Sequence, residues 1–335
     1  MTLLSVSNLS VRFKQHHQDL AALLDISFSI QPGERVAVVG ESGAGKSILG
    51  YAITNLLPGQ GYIAGGSVRF RGHELTSLSR REWRTIRGHR IAMIFQDMMM
   101  SLNPVLTVGD QMVEAIQSYR KVSYHQARQL AIETLQQVRI RTPEQCFYQY
   151  PHQLSGGIRQ RVIIAIVLLL KPELIIADEP TTALDVTLQA EILHILKEIC
   201  ERNQVALLFI SHDFGVISRI CERTLVMYAG KIVEQGPTLG IINDPQHPYT
   251  QGLINALPQM ALPGQPLNQI EGNMPSLTAR PSGCAFHPRC PYALSQCRYL
   301  TPEFIYTGVS ATACFVIEKM QTFNAESEVD HDTDI

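Results

Sequence analysis

The sequence predicts an α/β fold. A mainly parallel sheet is joined by an antiparallel β part, an inserted helical subdomain and a small cysteine-containing C-terminal extension. Three observations predict it. Short apolar runs at 35–39, 174–177, 206–210 and 224–227 are separated by helical stretches, the alternation that builds a parallel sheet covered on both faces. The first run ends in a glycine-rich turn that opens a helix. From about Pro104 to Tyr150 the apolar spacing changes to three and four residues, the period of a helix, within an inserted helical subdomain expected over about 100–170.

The elements follow in order. LLSVSNLSVRF and ALLDISFSI alternate and are rich in β-formers, and QPG turns the chain before 35–39. A helix over 46–55 is closed by Pro58 and several glycines. Residues 67–70 and 91–95 read as strands, and VGDQMVEAIQSYR and SYHQARQLAIETLQQV as helices of the insertion. After Pro172 the strand–helix alternation returns, with helices near 187–202 and 212–221. From 258 the chain turns Pro- and Gly-rich and then carries cysteines, and its acidic end lacks aromatics. The boundaries expected are 1–257 for the main domain, 258–318 for the extension and 319–335 for a disordered tail. No repeat of solenoid or propeller period is present.

Composition narrows the function. The 335 residues suffice for about two domains. With 45% apolar and 17% charged residues the chain is not a disordered one. A net charge of −2 argues against a protein held on nucleic acid by bulk positive charge. Seven cysteines are too few for a disulfide scaffold. The start has no signal-peptide pattern, and the longest apolar run, 162–170, is far short of the about 20 residues a bilayer span needs. The expected location is the cytoplasmic face of the cell membrane, reached through partners.

Three segments carry chemistry. Gly40-Glu41-Ser42-Gly43-Ala44-Gly45-Lys46-Ser47 follows a strand and opens a helix. Glycines there let backbone N–H groups wrap phosphates, Lys46 neutralises them, and the Ser47 hydroxyl coordinates magnesium. Asp178 and Glu179 end the apolar strand 174–177. Asp178 is placed to hold Mg2+ through water and Glu179 to act as general base on a water. In Leu154-Ser155-Gly156-Gly157-Ile158, small residues open a helix that is apolar on most of its surface.

These segments resemble the ATP-binding-cassette (ABC) ATPases, whose signature is LSGGQ. Ile158 stands at the glutamine position, while Ser155, Gly156 and Gly157 are intact. The resemblance implies a P-loop ABC ATPase cassette binding ATP and Mg2+. Gly40, Ser42, Gly43, Gly45 and Lys46 would lie around the phosphates, and Phe13 would stack on adenine. Gln96 would sense Mg2+ and the γ-phosphate, Asp185 would be the D-loop aspartate, and His212 the switch histidine. Ser155 and Gly157 would complete the partner cassette's site.

DPQHPYTQGL, the SLNP at 101–104 and PSLTARPSGCAFHPRCPYA are similar to the oligopeptide, dipeptide and nickel import ATPases. There Met98, Met99 and Met100 alter a loop that faces the membrane subunits. That branch implies three kinds of partner, a second homologous ATPase, two transmembrane permease subunits and an extracytoplasmic solute-binding protein, and no nucleic acid. Two alternatives remain at this point, a nickel or metal-chelate importer and a soluble ABC ATPase that does not serve transport.

Cys284, Cys290, Cys297 and Cys314 are spaced C-x5-C-x6-C-x16-C. A reducing compartment disfavours disulfides, and zinc usually takes tight C-x2-C pairs. A 4Fe–4S cluster accepts loose spacing, and the resemblance implies one here, with zinc as the alternative and a structural role for either. Cys146, Cys200 and Cys221 read as small buried hydrophobes.

Overall fold

The computed structural model describes residues 2–15, 18–97, 101–182, 184–257 and 268–317. The three methionines at 98–100 and the acidic tail lie outside the described residues.

Among the described residues the strands form two sheets. Strands β1 (Leu4–Gln15), β2 (Gln18–Ile30), β4 (Gly61–Phe70) and β5 (His73–Glu74) make an antiparallel sheet in the order β2-β1-β4-β5. The second sheet has eight strands. Its centre is parallel and runs β9 (Arg223–Tyr228), β3 (Arg35–Val39), β8 (Ala206–Ser211), β7 (Leu174–Asp178), β6 (Ile91–Ile94). Beyond β9 lie antiparallel β10 (Lys231–Pro237), β12 (Ser310–Thr312) and β11 (Ile305–Thr307).

The period of two along the central strands sorts their side chains between two cores. Val36, Val38, Leu208 and Ile210 pack with Leu4, Leu9 and Ile26 of the antiparallel sheet and with Leu49 and Ile53 of α1 (Lys46–Ile53). Ala37, Val39, Leu207 and Phe209 face the opposite layer, which is helical. That layer begins beyond α2 (Arg80–Ile86), whose start is a capping box of Ser79 and Glu82.

The insertion is α3 (Val108–Tyr119), α4 (Tyr124–Gln137), α5 (Pro143–Tyr148) and α6 (Gly156–Leu169). Thr107 caps α3, and a second capping box, Ser123 with Gln126, starts α4. Gly109 is needed where α3 meets α5, because a Cβ there would stand 2.3 Å from the Phe147 ring. Helix α6 is buried on several sides, as its continuous apolar run requires. Helices α7 (Val186–Asn203), α8 (Phe214–Ile220), α9 (Thr238–Asn243) and α10 (Pro248–Asn255) complete the chain order.

Two features differ from the sequence expectation. β4 begins at Gly61, six residues earlier than expected, because Ile63, Tyr62 and Gly61 continue the pairing with Val11–Phe13 across a register shift. The cysteine-bearing segment also extends the main sheet, since Ala311 and Thr312 pair with Gln235 and Glu234.

Candidate functional site

β3 delivers the chain at Gly40, and α1 takes it away at Lys46. Between them Gly43 and Gly45 sit at φ +85° and +100°, a region that glycine enters without cost. A Cβ on Gly45 would come within 2.9 Å of Leu23. The loop floors a cavity of about 650 Å3. Ser42, Gly43, Gly45, Lys46 and Ser47 line it together with Phe13, Gln96 and Glu179. The expected phosphate, adenine and γ-phosphate groups therefore share one space.

Lys46 is buried, and its Nζ donates to the Gly40 carbonyl at 2.8 Å and the Glu41 carbonyl at 3.0 Å. Burial lowers its pKa, opposed by the nearby carboxylates of Glu179, Asp178 and Glu41. The Ser47 hydroxyl donates to Asp178 Oδ1 at 2.9 Å. Asp178 is fully buried, and its Oδ2 has no protein partner. Burial raises its pKa to about 6. A buried carboxylate oxygen without a partner, beside a hydroxyl, is the hard-oxygen donor set that suits Mg2+.

Glu179 holds a left-handed backbone at φ +45°, fixed by its N–H donating to the Ile210 carbonyl at 2.9 Å. Its carboxylate is a meeting point. Gln96 Nε2 donates to Oε2 at 3.3 Å, and the Thr182 hydroxyl to the same oxygen at 2.9 Å. His212 Nδ1 lies 3.2 Å from Oε1, and Lys46 Nζ 4.0 Å from it.

Other expected residues lie elsewhere. Ser155 is the N-cap of α6, accepting from the Ile158 N–H, and Gly156 and Gly157 form the first turn. None of the three lines the cavity of their own glycine-rich loop. Asp185 caps α7, its Oδ1 accepting from the Thr187 and Leu188 N–H groups at 3.0 Å each.

The metal set expected of the late cysteines is not supported. All four are free, and burial raises Cys284 to about 11, with Cys297, Cys314 and Cys290 adding repulsion. Among the described residues no group of three or more His, Cys, Asp or Glu side chains is arranged to hold a metal ion. Hydrogen bonds fasten the segment instead: the Cys284 N–H donates to the Cys297 carbonyl at 2.9 Å and Ser282 Oγ to the Arg298 carbonyl at 2.7 Å. Cys146 and Cys200 are buried thiols raised by burial to about 11 and about 12, and Cys221 is raised further.

Sequence reasoning missed Thr182, Glu41, Tyr249, Leu277 and Arg289. Leu277 lines the cavity, and Arg289 and Tyr249 bind Glu41 inside the glycine-rich loop. Thr182 was within reach of inspection, three residues after Glu179. Glu41 lies within the loop itself, while Tyr249, Leu277 and Arg289 lie more than 200 residues from it, and no spacing links them to it.

No helix among the described residues is long and apolar enough to cross a membrane. Residues 23–182 match the family model described as ABC transporter, and 233–297 match the oligopeptide/dipeptide transporter, C-terminal region. The oligopeptide transport ATP-binding protein AppD of Bacillus subtilis is 42% identical over 95% of this chain and 98% of its own. The dipeptide transport ATP-binding protein DppD of the same organism is 45% identical over 89% and 90%. OppD of Salmonella typhimurium, an oligopeptide transport ATP-binding protein, is 42% identical over 93% of each. The solved dimeric post-hydrolysis state of the ATP-binding cassette MJ0796, bound to ADP and Pi, superposes with a TM-score of 0.64 at 29% identity. That match covers 70% of this chain and 99% of the other.

Proposed function

Since the chain belongs to the ATP-binding subunits of the oligopeptide and dipeptide ABC transporters, we propose that it hydrolyses ATP to power uptake of short peptides through a membrane complex. The observation that carries the mechanism is the Glu179 carboxylate, met by Gln96, Thr182, His212 and Lys46 from four separate segments at the glycine-rich loop.

Lys46 spends its donors on the loop's own carbonyls at Gly40 and Glu41. Phosphate oxygens are stronger acceptors, so nucleotide draws the ammonium to the β- and γ-phosphates. Mg2+, when bound, would neutralise phosphate charge, and Ser47 and Asp178 are the residues that would hold it. Phe13, on the cavity wall, is the aromatic available to stack on the base. Glu179 takes the proton of the attacking water, and Gln96 and Thr182 hold its carboxylate in register for that transfer. His212 is half exposed beside Glu179 and is placed to meet the γ-phosphate.

Ser155, Gly156 and Gly157 present an N-terminus of α6 that their own cavity does not use. They are assigned to the nucleotide of a second, homologous ATPase. The dimeric form of the MJ0796 cassette supports that assignment. Closure of the pair on ATP and its release after hydrolysis would rock two permease subunits, to which an extracytoplasmic binding protein delivers the peptide. On this reading the chain works at the cytoplasmic face of the membrane.

Glu179→Gln tests the reading. In the assembled complex ATP binding should persist, while hydrolysis falls at least about a hundredfold and peptide uptake stops. Turnover near the wild-type rate would remove Glu179 from its role. The iron–sulfur reading of Cys284, Cys290, Cys297 and Cys314, with zinc as alternative, rests on spacing and resemblance alone, and no step is routed through it. Iron, sulfide and zinc analysis of protein prepared without oxygen decides it. Four alkylatable thiols and no metal would end it.

A further inference from the structure

Glu41 is the one acidic residue within the glycine-rich loop, and phosphate chemistry does not call for it. A carboxylate there faces the wrong way electrostatically, since it would repel the anion the loop is shaped to hold. Its surroundings resolve this. Arg289 Nη1 donates to Glu41 Oε2 at 2.7 Å and Nη2 to Oε1 at 3.0 Å, a two-pronged ion pair whose arginine side chain is only 5% exposed. The arginine is fixed from behind. Nε donates to the Glu271 carbonyl at 2.9 Å and Nη2 to that of Ile270 at 3.3 Å, and the group lies over the Tyr228 and Phe286 rings.

The backbone of the same residue is held too. The Glu41 N–H donates to the Tyr249 hydroxyl at 2.7 Å, and the Glu41 carbonyl receives Lys46 Nζ at 3.0 Å. Tyr249 stands in the His-Pro-Tyr-Thr run, at the start of α10, and Arg289 lies in the extension. Both arrive from more than 200 residues away. Leu277 of the same extension lines the cavity, and Met274 would stand 3.6 Å from a Cβ on Gly43.

We propose that Arg289 and Tyr249 are positioning residues for nucleotide binding: Arg289 neutralises Glu41 and, with Tyr249, fixes the loop, so that the C-terminal extension sets ATP affinity from within the same chain. The proposal rests on the loop around Lys46 being the nucleotide site. Neither residue touches the reacting atoms, and both act through Glu41. An unneutralised Glu41 opposes ATP more than ADP, because ATP brings one more negative group.

The test is equilibrium binding of Mg–ATP and Mg–ADP to the purified full chain. Arg289→Ala should weaken ATP about tenfold and ADP about threefold. Adding Glu41→Gln to Arg289→Ala should restore ATP binding to within about threefold of wild type, which a merely structural loss would not allow. Tyr249→Phe should weaken both nucleotides alike, since it loosens the loop without adding charge. If Arg289→Ala does not fold, Arg289→Lys keeps the charge without the fork and should weaken ATP about threefold. ATP affinity within twofold of wild type in the arginine variants, or no recovery in the double variant, would overturn the proposal. A wild-type chain that binds no Mg–ATP would sink the nucleotide site itself, and this inference with it. Wild-type binding together with unaffected variants would sink this inference alone.

Discussion

His247 is a fully buried histidine, and its acid response can be worked from the structure. Nδ1 accepts the Tyr249 N–H at 3.0 Å, capping α10, so the ring must be neutral there. Protonation would turn that acceptor into a donor and place a positive charge at a helix N-terminus. Phe286 lies beside the ring at 5.8 Å. Glu234 accepts the backbone N–H groups of Gln246 and His247, and Asp25, Lys231, Cys284 and Glu303 line the adjoining cavity. Burial pushes the imidazole down to about 3 from 6.5. The folded pKa is depressed, so the contribution is whole above the unfolded value and is lost as pH falls from there towards the folded one. Between about pH 7.5 and pH 5.5 the loss is about 1.4 kcal/mol, from a tenfold protonation advantage of the unfolded chain. His247→Asn keeps a capping acceptor and removes the titration. Denaturant unfolding at both pH values should show the variant losing about 1.4 kcal/mol less than wild type over the interval, although its stability at pH 7.5 falls through lost packing. Equal losses in the two proteins would refute the reasoning.

Other outcomes follow from single contacts. Ser155→Arg should abolish ATP hydrolysis in the assembled complex yet leave nucleotide binding by the isolated chain within about twofold, because Ser155 does not line its own cavity. Lost binding by the isolated chain would place Ser155 in the wrong site. Gly109→Ala forces a methyl group to 2.3 Å from the Phe147 ring and should cost about 2 kcal/mol in denaturant unfolding. A change below about 0.5 kcal/mol would show that the α3–α5 contact yields freely.

Much of this was legible in the sequence because it is local. The glycines, Lys46 and Ser47 are contiguous, and Asp178 with Glu179 ends a strand that is apolar on both faces. Helix α6 was readable from its unbroken apolar run. Non-local chemistry was hidden. The 248-residue separation of Glu41 and Arg289 left no periodic trace, and Arg289 was noticed only as part of a family-like run. β10 escaped notice because its buried Ile232 and Glu234 alternate with partly exposed Val233 and Gln235, a pattern diluted by a buried carboxylate and a glycine. Glu234 is tolerated there because backbone N–H groups of Gln246 and His247 satisfy it, partners that composition cannot show. The late cysteines are the converse case. Their spacing suggested ligands, while the fold packs Cys284 and Cys290 against the apolar core and ties Cys284 to Cys297 by a backbone hydrogen bond.

The pairing of β12 onto β10 also bears on how the protein survives in a crowded cell. A sheet ending at β10 would show a seven-residue row of unpaired backbone groups, a template for strand-to-strand aggregation. The Glu234–Thr312 and Gln235–Ala311 pairs cover its middle, and the new margin, β11, is only three residues long. During synthesis that cover arrives late, some 75 residues after the strand it protects. A ribosome-bound or truncated chain ending before the hairpin therefore has an adhesive edge, and the extension doubles as a solubility device for the finished cassette.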